Sequence, residues 1–260
     1  MFAGTHFAWL AITIAMVAIL TFCSVKFKFK FKSVMLAAII VCIVCIIERI
    51  VTGIIPADIN GDVSWGYIVN QTEIPLHLCS IMVFAYIALY FLKDGKVKDT
   101  IKSFVAVIGI MGAVVACLIP TQGTGFANPN TYEYFIYHAA LIWIGLYLLI
   151  TKQASMKLSA YLRNLLVVGS LVLIMLFVDS ALSVYHVNYF FLVRPPMENL
   201  PILNLDHGWI VYFITIIGFG LLAITLFHLP AIIKEFIDKD KAKKQAQLEQ
   251  VEDIDNQKKH

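Results

Sequence analysis

Lys26-Phe27-Lys28-Phe29-Lys30-Phe31-Lys32 lies between two long apolar runs, residues 5–25 and 33–55, and its reading decides the fold. Its strict alternation has the period of a β-strand. The setting argues otherwise. Each flanking run approaches or exceeds the roughly 20 residues that carry a helix across about 30 Å of hydrocarbon. The lysine–phenylalanine run is therefore a short connection between membrane helices. At a membrane surface its phenylalanines dip into the headgroup boundary while the lysines reach water. A topology signal is enough to explain it, and no chemistry need be assigned.

Working outward, five more apolar stretches lie near 74–92, 101–119, 131–150, 164–186 and 208–229. The chain has 260 residues, 60% hydrophobic and only 14% charged, with a mean hydropathy of +0.82. Soluble domains carry about 25% charged residues, so this composition excludes an ordinary water-soluble protein. Without water to satisfy backbone groups, helices are the expected spanning form. The predicted fold class is all-α: one polytopic domain of seven transmembrane helices over residues 1–233. A charged tail follows over 234–260, partly helical or disordered. No linker or internal repeat divides the chain. The connections at 56–73, 120–130 and 187–207 hold most of its Pro, Gly and Asn.

The basic residues orient this bundle. Eighteen of the twenty lie in the connections at 26–32, 93–102 and 152–163 or in the tail, leaving only Arg49 and Arg194 elsewhere. Cytoplasmic loops attract lysine and arginine, which puts the tail inside, the N-terminus outside and the protein in a cell membrane. The formal net charge of +3 points to anionic lipid headgroups as partners rather than nucleic acid. A cleaved signal peptide carries its positive charge before the apolar run. Residues 1–25 carry none, so the first stretch reads as a retained helix.

Polar side chains in hydrocarbon are costly and mark sites. Glu48 and Arg49 precede the outer end of the second stretch. Cys79 follows the outer start of the third, His138 that of the fifth, and Asp179 precedes the outer end of the sixth. At 1.5 Å per residue all lie roughly 8–11 Å below the outer boundary. Four helices thus bring five chemistry-bearing residues to one level. Each also has a plain reading. Arg49 and Asp179 make a possible structural ion pair, and a lone membrane histidine such as His138 commonly bonds a nearby carbonyl. Asp179 has no local partner, because an apolar run from Leu165 to Val178 precedes it.

The segment Glu73-Ile74-Pro75-Leu76-His77-Leu78-Cys79-Ser80 is the densest in information. Pro75 suits a first helical turn, Thr72 suits its cap, and Glu73 and His77 would then share a face. His77 and Cys79 diverge by about 200° on a helix, so a base for Cys79 must come from another helix, with His138 at matching depth. A cysteine attacks as thiolate, which apolar burial opposes and a nearby imidazole or guanidinium favours. His138 would move the proton, and Arg49, Gln122 or Asn188 would position the substrate and stabilise an oxyanion.

Other cysteines compete less well. Cys42 and Cys45 form a C-x-x-C in mid-membrane, where packing is the better reading than redox chemistry. Cys117 is also near an outer helix end, but Val114, Val115, Ala116 and Leu118 supply no base. A Cys79–Cys117 disulfide stays open. His77, Cys79, His138 and His186 lack zinc-type spacing, so no metal and no cofactor is expected.

Ile74-Pro75-Leu76-His77-Leu78-Cys79-Ser80 resembles the signature of the YwaF-type bacterial integral membrane proteins. His138 in the fifth stretch and Asn188-Tyr189-Phe190-Phe191-Leu192 followed by Pro195 fit the same pattern. The resemblance covers about residues 40–225. One departure is Arg194-Pro195-Pro196, where a lysine before a single proline is expected. This family is similar to eukaryotic intramembrane acyltransferases that remodel phospholipids through a cysteine and a histidine. More distantly it resembles intramembrane hydrolases of fatty-acid esters that use threonine and histidine. The resemblance implies Cys79 as nucleophile and His138 as its base, acting on phospholipid or lysophospholipid.

Three functions are open at this point. A lipid-active acyltransferase, or an ester hydrolase in the same site, follows from Cys79 and His138. A transporter would use Glu48, Arg49 and Asp179 on an ion path, yet neither repeats nor broken helices are evident. A seven-helix ligand-binding protein fits the topology, but residues 208–229 hold no lysine for a retinal Schiff base.

Overall fold

The computed structural model describes residues 4–59, 62–69, 74–121, 123–197, 200 and 202–257, without side-chain detail at 55–59, 62–69, 248 and 250–257. Seven helices follow in order: α1 (Gly4–Lys26), α2 (Phe31–Thr52), α3 (Leu78–Phe91), α4 (Lys96–Leu118), α5 (Pro129–Ile150), α6 (Leu158–Ala181) and α7 (Trp209–Gln257). Six are long and apolar enough to cross a membrane, and α3 is the shorter apolar exception. The chain is a multi-pass membrane protein.

The lysine–phenylalanine run is the α1–α2 corner. Lys28 turns the chain at φ 50°, the Phe29 carbonyl accepts from Tyr147 Oη at 3.0 Å, and Phe31 begins α2. Lys98 and Lys102 of α4 lie over the Phe31 ring at 5.2 and 5.3 Å, within the range of cation–π attraction.

Two expectations are corrected. The third span does not start as a helix at Ile74. Residues 74–77 are non-helical and α3 begins at Leu78 with His77 as an extended N-cap. Proline disfavours the helical region for the residue before it, so Pro75 ends in the approach instead of the first turn. Glu73 and Thr72 lie outside the described residues. Non-helical backbone at membrane depth must be covered by protein. Ile74 and Leu76 find that cover against Met175, Val187, Tyr189 and Leu192.

Second, the all-helical expectation holds for the bundle but not for the connection at 56–73. There β1 (Ile54–Ile59) and β2 (Asp62–Val69) form an antiparallel hairpin with an irregularity between Pro56 and Asp58. The strands flank Asn60-Gly61, a dipeptide that two-residue hairpin turns favour. Helix α7 runs to Gln257 with Pro230 inside it and takes in the described part of the tail. Its i,i+4 pairs Glu235–Lys239 at 2.7 Å and Asp240–Lys244 at 2.9 Å support an exposed helix.

Helix α5 is the centre, with α1, α2 and α4 packed around it. The α4–α5 approach is close because Gly145 has no side chain. A Cβ there would stand 2.4 Å from Ile110 Cγ1 and 3.0 Å from the Ala106 carbonyl oxygen. Small residues at such crossings let backbones meet in membranes. Helices α6 and α7 pack on each other and reach the rest mainly through α4. One buried polar tie holds them: Asn164 Nδ2 donates to Ser103 Oγ and to His228 Nε2, each at 3.1 Å. His228 Nδ1 donates to the Met156 carbonyl at 3.0 Å.

Candidate functional site

Cys79 sits in the first turn of α3, half-buried, with a free thiol. All five cysteines are free, so Cys79 and Cys117 are not joined. The late helix start matters chemically. The first amides of any helix lack an intrahelical partner and form its positive end. Those of Leu78, Cys79 and Ser80 belong to the turn that carries the sulfur. On the α4 side Gly112 leaves space, since a Cβ at that position would lie 3.6 Å from Cys79 Sγ.

Helix α5 grips this turn. Tyr137 Oη donates to the Cys79 carbonyl at 2.9 Å, and the next residue is His138, 6% exposed. His138 Nδ1 lies 2.6 Å from the Tyr134 carbonyl oxygen. A carbonyl only accepts, so Nδ1 carries the proton and the neutral ring keeps its lone pair on Nε2. The plain reading of His138, a bond to a nearby carbonyl, is what the structure contains. That bond also fixes the ring's orientation, with Nε2 as its acceptor. Tyr134 stacks at a tilt 4.4 Å from His138 and ties α5 to α4 through the Ala116 carbonyl at 2.9 Å.

Arg49 joins the same group. Its Nη1 lies 3.5 Å from Ser80 Oγ. Around Cys79, Tyr137 holds the carbonyl of the turn and Arg49 reaches the adjacent Ser80, and His138 follows Tyr137 on α5; Tyr137 and Ser80 are residues the sequence did not single out. Tyr137 was hidden because a tyrosine in an apolar stretch reads as packing.

The remaining candidates lie elsewhere. Asp179 is buried, and its Oδ1 accepts from the Tyr189 amide at 2.9 Å. It secures the segment before α7 instead of pairing with Arg49. Asn188 is used by its own loop, donating to the Arg194 carbonyl and accepting from the Val193 and Arg194 amides. These bonds commit its oxygen and one Nδ2 hydrogen to the loop. His77 caps α3 and packs its ring 5.3 Å from Tyr189 and 5.7 Å from Phe191. Asp179 and His77 therefore touch through Tyr189, as supports of the turn that carries Cys79. Glu48 turns away from Cys79 toward a groove between α2 and α5 that Glu133 also lines. Gln122 lies outside the described residues.

Cys117 packs with Trp9, Tyr134 and Phe135, and its carbonyl accepts from His6 Nε2 at 2.9 Å. That histidine is one the sequence reading passed over. Cys42 and Cys45 belong to the main core. Among the described residues no group of three or more His, Cys, Asp or Glu is placed to hold a metal ion.

A model of the TMEM164 family matches residues 1–228. No curated protein matches the chain, and no solved structure does.

Proposed function

The chain belongs to the TMEM164 family, and on that premise we propose that it is a lipid-active acyltransferase with Cys79 as nucleophile and His138 as general base. The observation that carries the reading is the α5 grip: Tyr137 holds the Cys79 carbonyl while the neighbouring His138 is fixed with Nε2 as its acceptor. The kinship of residues 74–80 to YwaF-type proteins and intramembrane acyltransferases belongs to the same proposal.

In the reaction Cys79 Sγ attacks the carbonyl carbon of a phospholipid ester. The S–C bond forms, His138 Nε2 takes the thiol proton, and negative charge gathers on the carbonyl oxygen. The first-turn amides of α3 and the Arg49 guanidinium favour that charge. The bond from carbon to the donor's glycerol oxygen breaks, and His138 returns the proton to the leaving oxygen. A lysophospholipid hydroxyl then attacks the thioester, which releases the acyl group to the acceptor and restores the thiol. Water as acceptor would give hydrolysis. The lipids reach the site from the outer leaflet, with the C-terminal tail cytoplasmic and the protein in the cell membrane.

The test is acyl exchange in proteoliposomes containing an isotope-labelled donor lipid and an unlabelled lysophospholipid. Labelled product in the wild type, absent with Cys79→Ala, supports transfer. Labelled free fatty acid supports hydrolysis. Exchange that survives Cys79→Ala overturns both.

One observation favours a second reading. Non-helical backbone leads into α3 at residues 74–77, and transporters place unwound backbone at their binding sites. Arg49 and Glu48 would then serve a transported solute. Solute flux that depends on Arg49 and not on Cys79 would select this reading.

A further inference from the structure

Glu48 and Arg49 are neighbours in sequence but point about 100° apart on α2, and only Arg49 faces Ser80. Across the other flank of α2 lies a groove of about 590 Å³ in which Ile40, Val44 and Glu48 face Tyr132, Glu133 and Ile136 of α5. Its size falls among ligand pockets, which run from about 300 to 1,000 Å³. It opens sideways, toward lipid, since Val44 is 60% and Ile40 54% exposed.

The groove is polar at one end only. Glu48 lies two helical turns, about 12 Å, from Ile40 toward the outer end of α2. Glu133 is in the first turns of α5 at the same end. Both oxygens of Glu48 are shielded and accept no hydrogen bond among the described residues. An uncompensated carboxylate in apolar surroundings is costly, and a buried polar group without a partner calls for an explanation. Arg49 does not provide one: its charge offsets part of the cost, but its Nη1 lies toward Ser80 and it makes no hydrogen bond to Glu48. A cation entering the groove would.

We propose that this groove binds a lipid with an ammonium head, the head on Glu48 and an alkyl chain along Val44 and Ile40. Charge complementarity selects the head. An anionic head would meet two carboxylates, and a neutral one would leave Glu48 unpaired. The apolar run below Glu48 selects a chain-bearing ligand over a free cation. The site lies off the Cys79–His138 face and stands whether or not that pair transfers acyl groups.

The experiment uses the full chain in phosphatidylglycerol nanodiscs with three diazirine-bearing octadecyl probes: an ammonium, an alcohol and a sulfate. The ammonium probe is expected to label α2 and α5 peptides about tenfold more than either other probe, and Glu48→Gln to remove that advantage. Val44→Trp, at an exposed position, fills the groove and is expected to block labelling while the thermal transition stays in place. If Glu48→Gln fails to fold, the head-group comparison and Val44→Trp decide. Lysophosphatidylethanolamine should compete, and chainless ethanolamine at the same concentration should not. Cys79→Ala should label as the wild type does, which keeps this result separate from the acyl-transfer test. Equal labelling by all three probes, indifference to Glu48→Gln in a folded protein, or equal competition by ethanolamine overturns the proposal.

Discussion

His138 and Tyr137 divide one task between adjacent side chains: one orients a proton acceptor, the other holds the backbone of the turn it serves. Tyr137→Phe removes a single hydrogen bond to the Cys79 carbonyl. It is expected to cost about 1 kcal/mol of stability, seen as a lower thermal midpoint in detergent, and to slow acyl exchange without abolishing it. Gly112→Ala should fold normally, because its methyl would sit at ordinary contact distance, 3.6 Å, from Cys79 Sγ. It narrows the approach to the sulfur, so alkylation of Cys79 by iodoacetamide should slow relative to the wild type. Cys79, His138 and Arg49 stand out as candidates in the sequence because reactive residues in apolar stretches are few and depth can be counted along a helix. Asp179 and Asn188 shared that depth or that rim, yet their partners are backbone groups of the 186–194 segment. Nothing in local spacing announces such bonds. Tyr137 was illegible for the opposite reason: its ring suits a core, and only the fold shows where its hydroxyl ends.

At the scale of elements, the short third helix and the close α4–α5 crossing fix the site. Gly145→Ala would force a methyl into Ile110 and the Ala106 carbonyl. Overpacking of this kind costs about 1–3 kcal/mol, and the thermal midpoint should fall accordingly. A second element contact depends on pH. Glu235 of α7 accepts from Lys239 Nζ and from the Leu158 amide at the start of α6. The Lys239 ammonium first, and then the Leu158 amide, hold its carboxyl below the ordinary value of 4.5. A carboxyl lowered in the folded state stabilises the contact above that ordinary value and loses the contribution as pH falls through the folded one. Exchange of the Leu158 amide should therefore quicken below about pH 4.5, and Glu235→Gln should make it fast at neutral pH. Helix boundaries were legible wherever apolar runs were long. At Ile74–His77 the hydropathy continued after the helix had ceased, because Pro75 disfavours helix at Ile74 while apolar side chains are still needed for cover.

For the whole molecule, the distribution of lysine and arginine predicts one orientation. Cysteines placed at exposed Gly4 and Lys241, in a chain lacking the native five, report it directly. An impermeant maleimide added to intact cells should label position 4, and position 241 only after permeabilisation. The reverse pattern would invert the bundle and move the Cys79 level to the inner leaflet. The central claim is that Cys79 carries an acyl group, and intact-protein mass spectrometry of the chain quenched in donor-lipid proteoliposomes tests it most directly. The account predicts one added acyl mass, mapped to Cys79, released by neutral hydroxylamine and absent in Cys79→Ala. With His138→Ala it should form about 10²–10⁴-fold more slowly. Acyl exchange that proceeds with no adduct on Cys79, or an adduct that forms equally fast without His138, would contradict it.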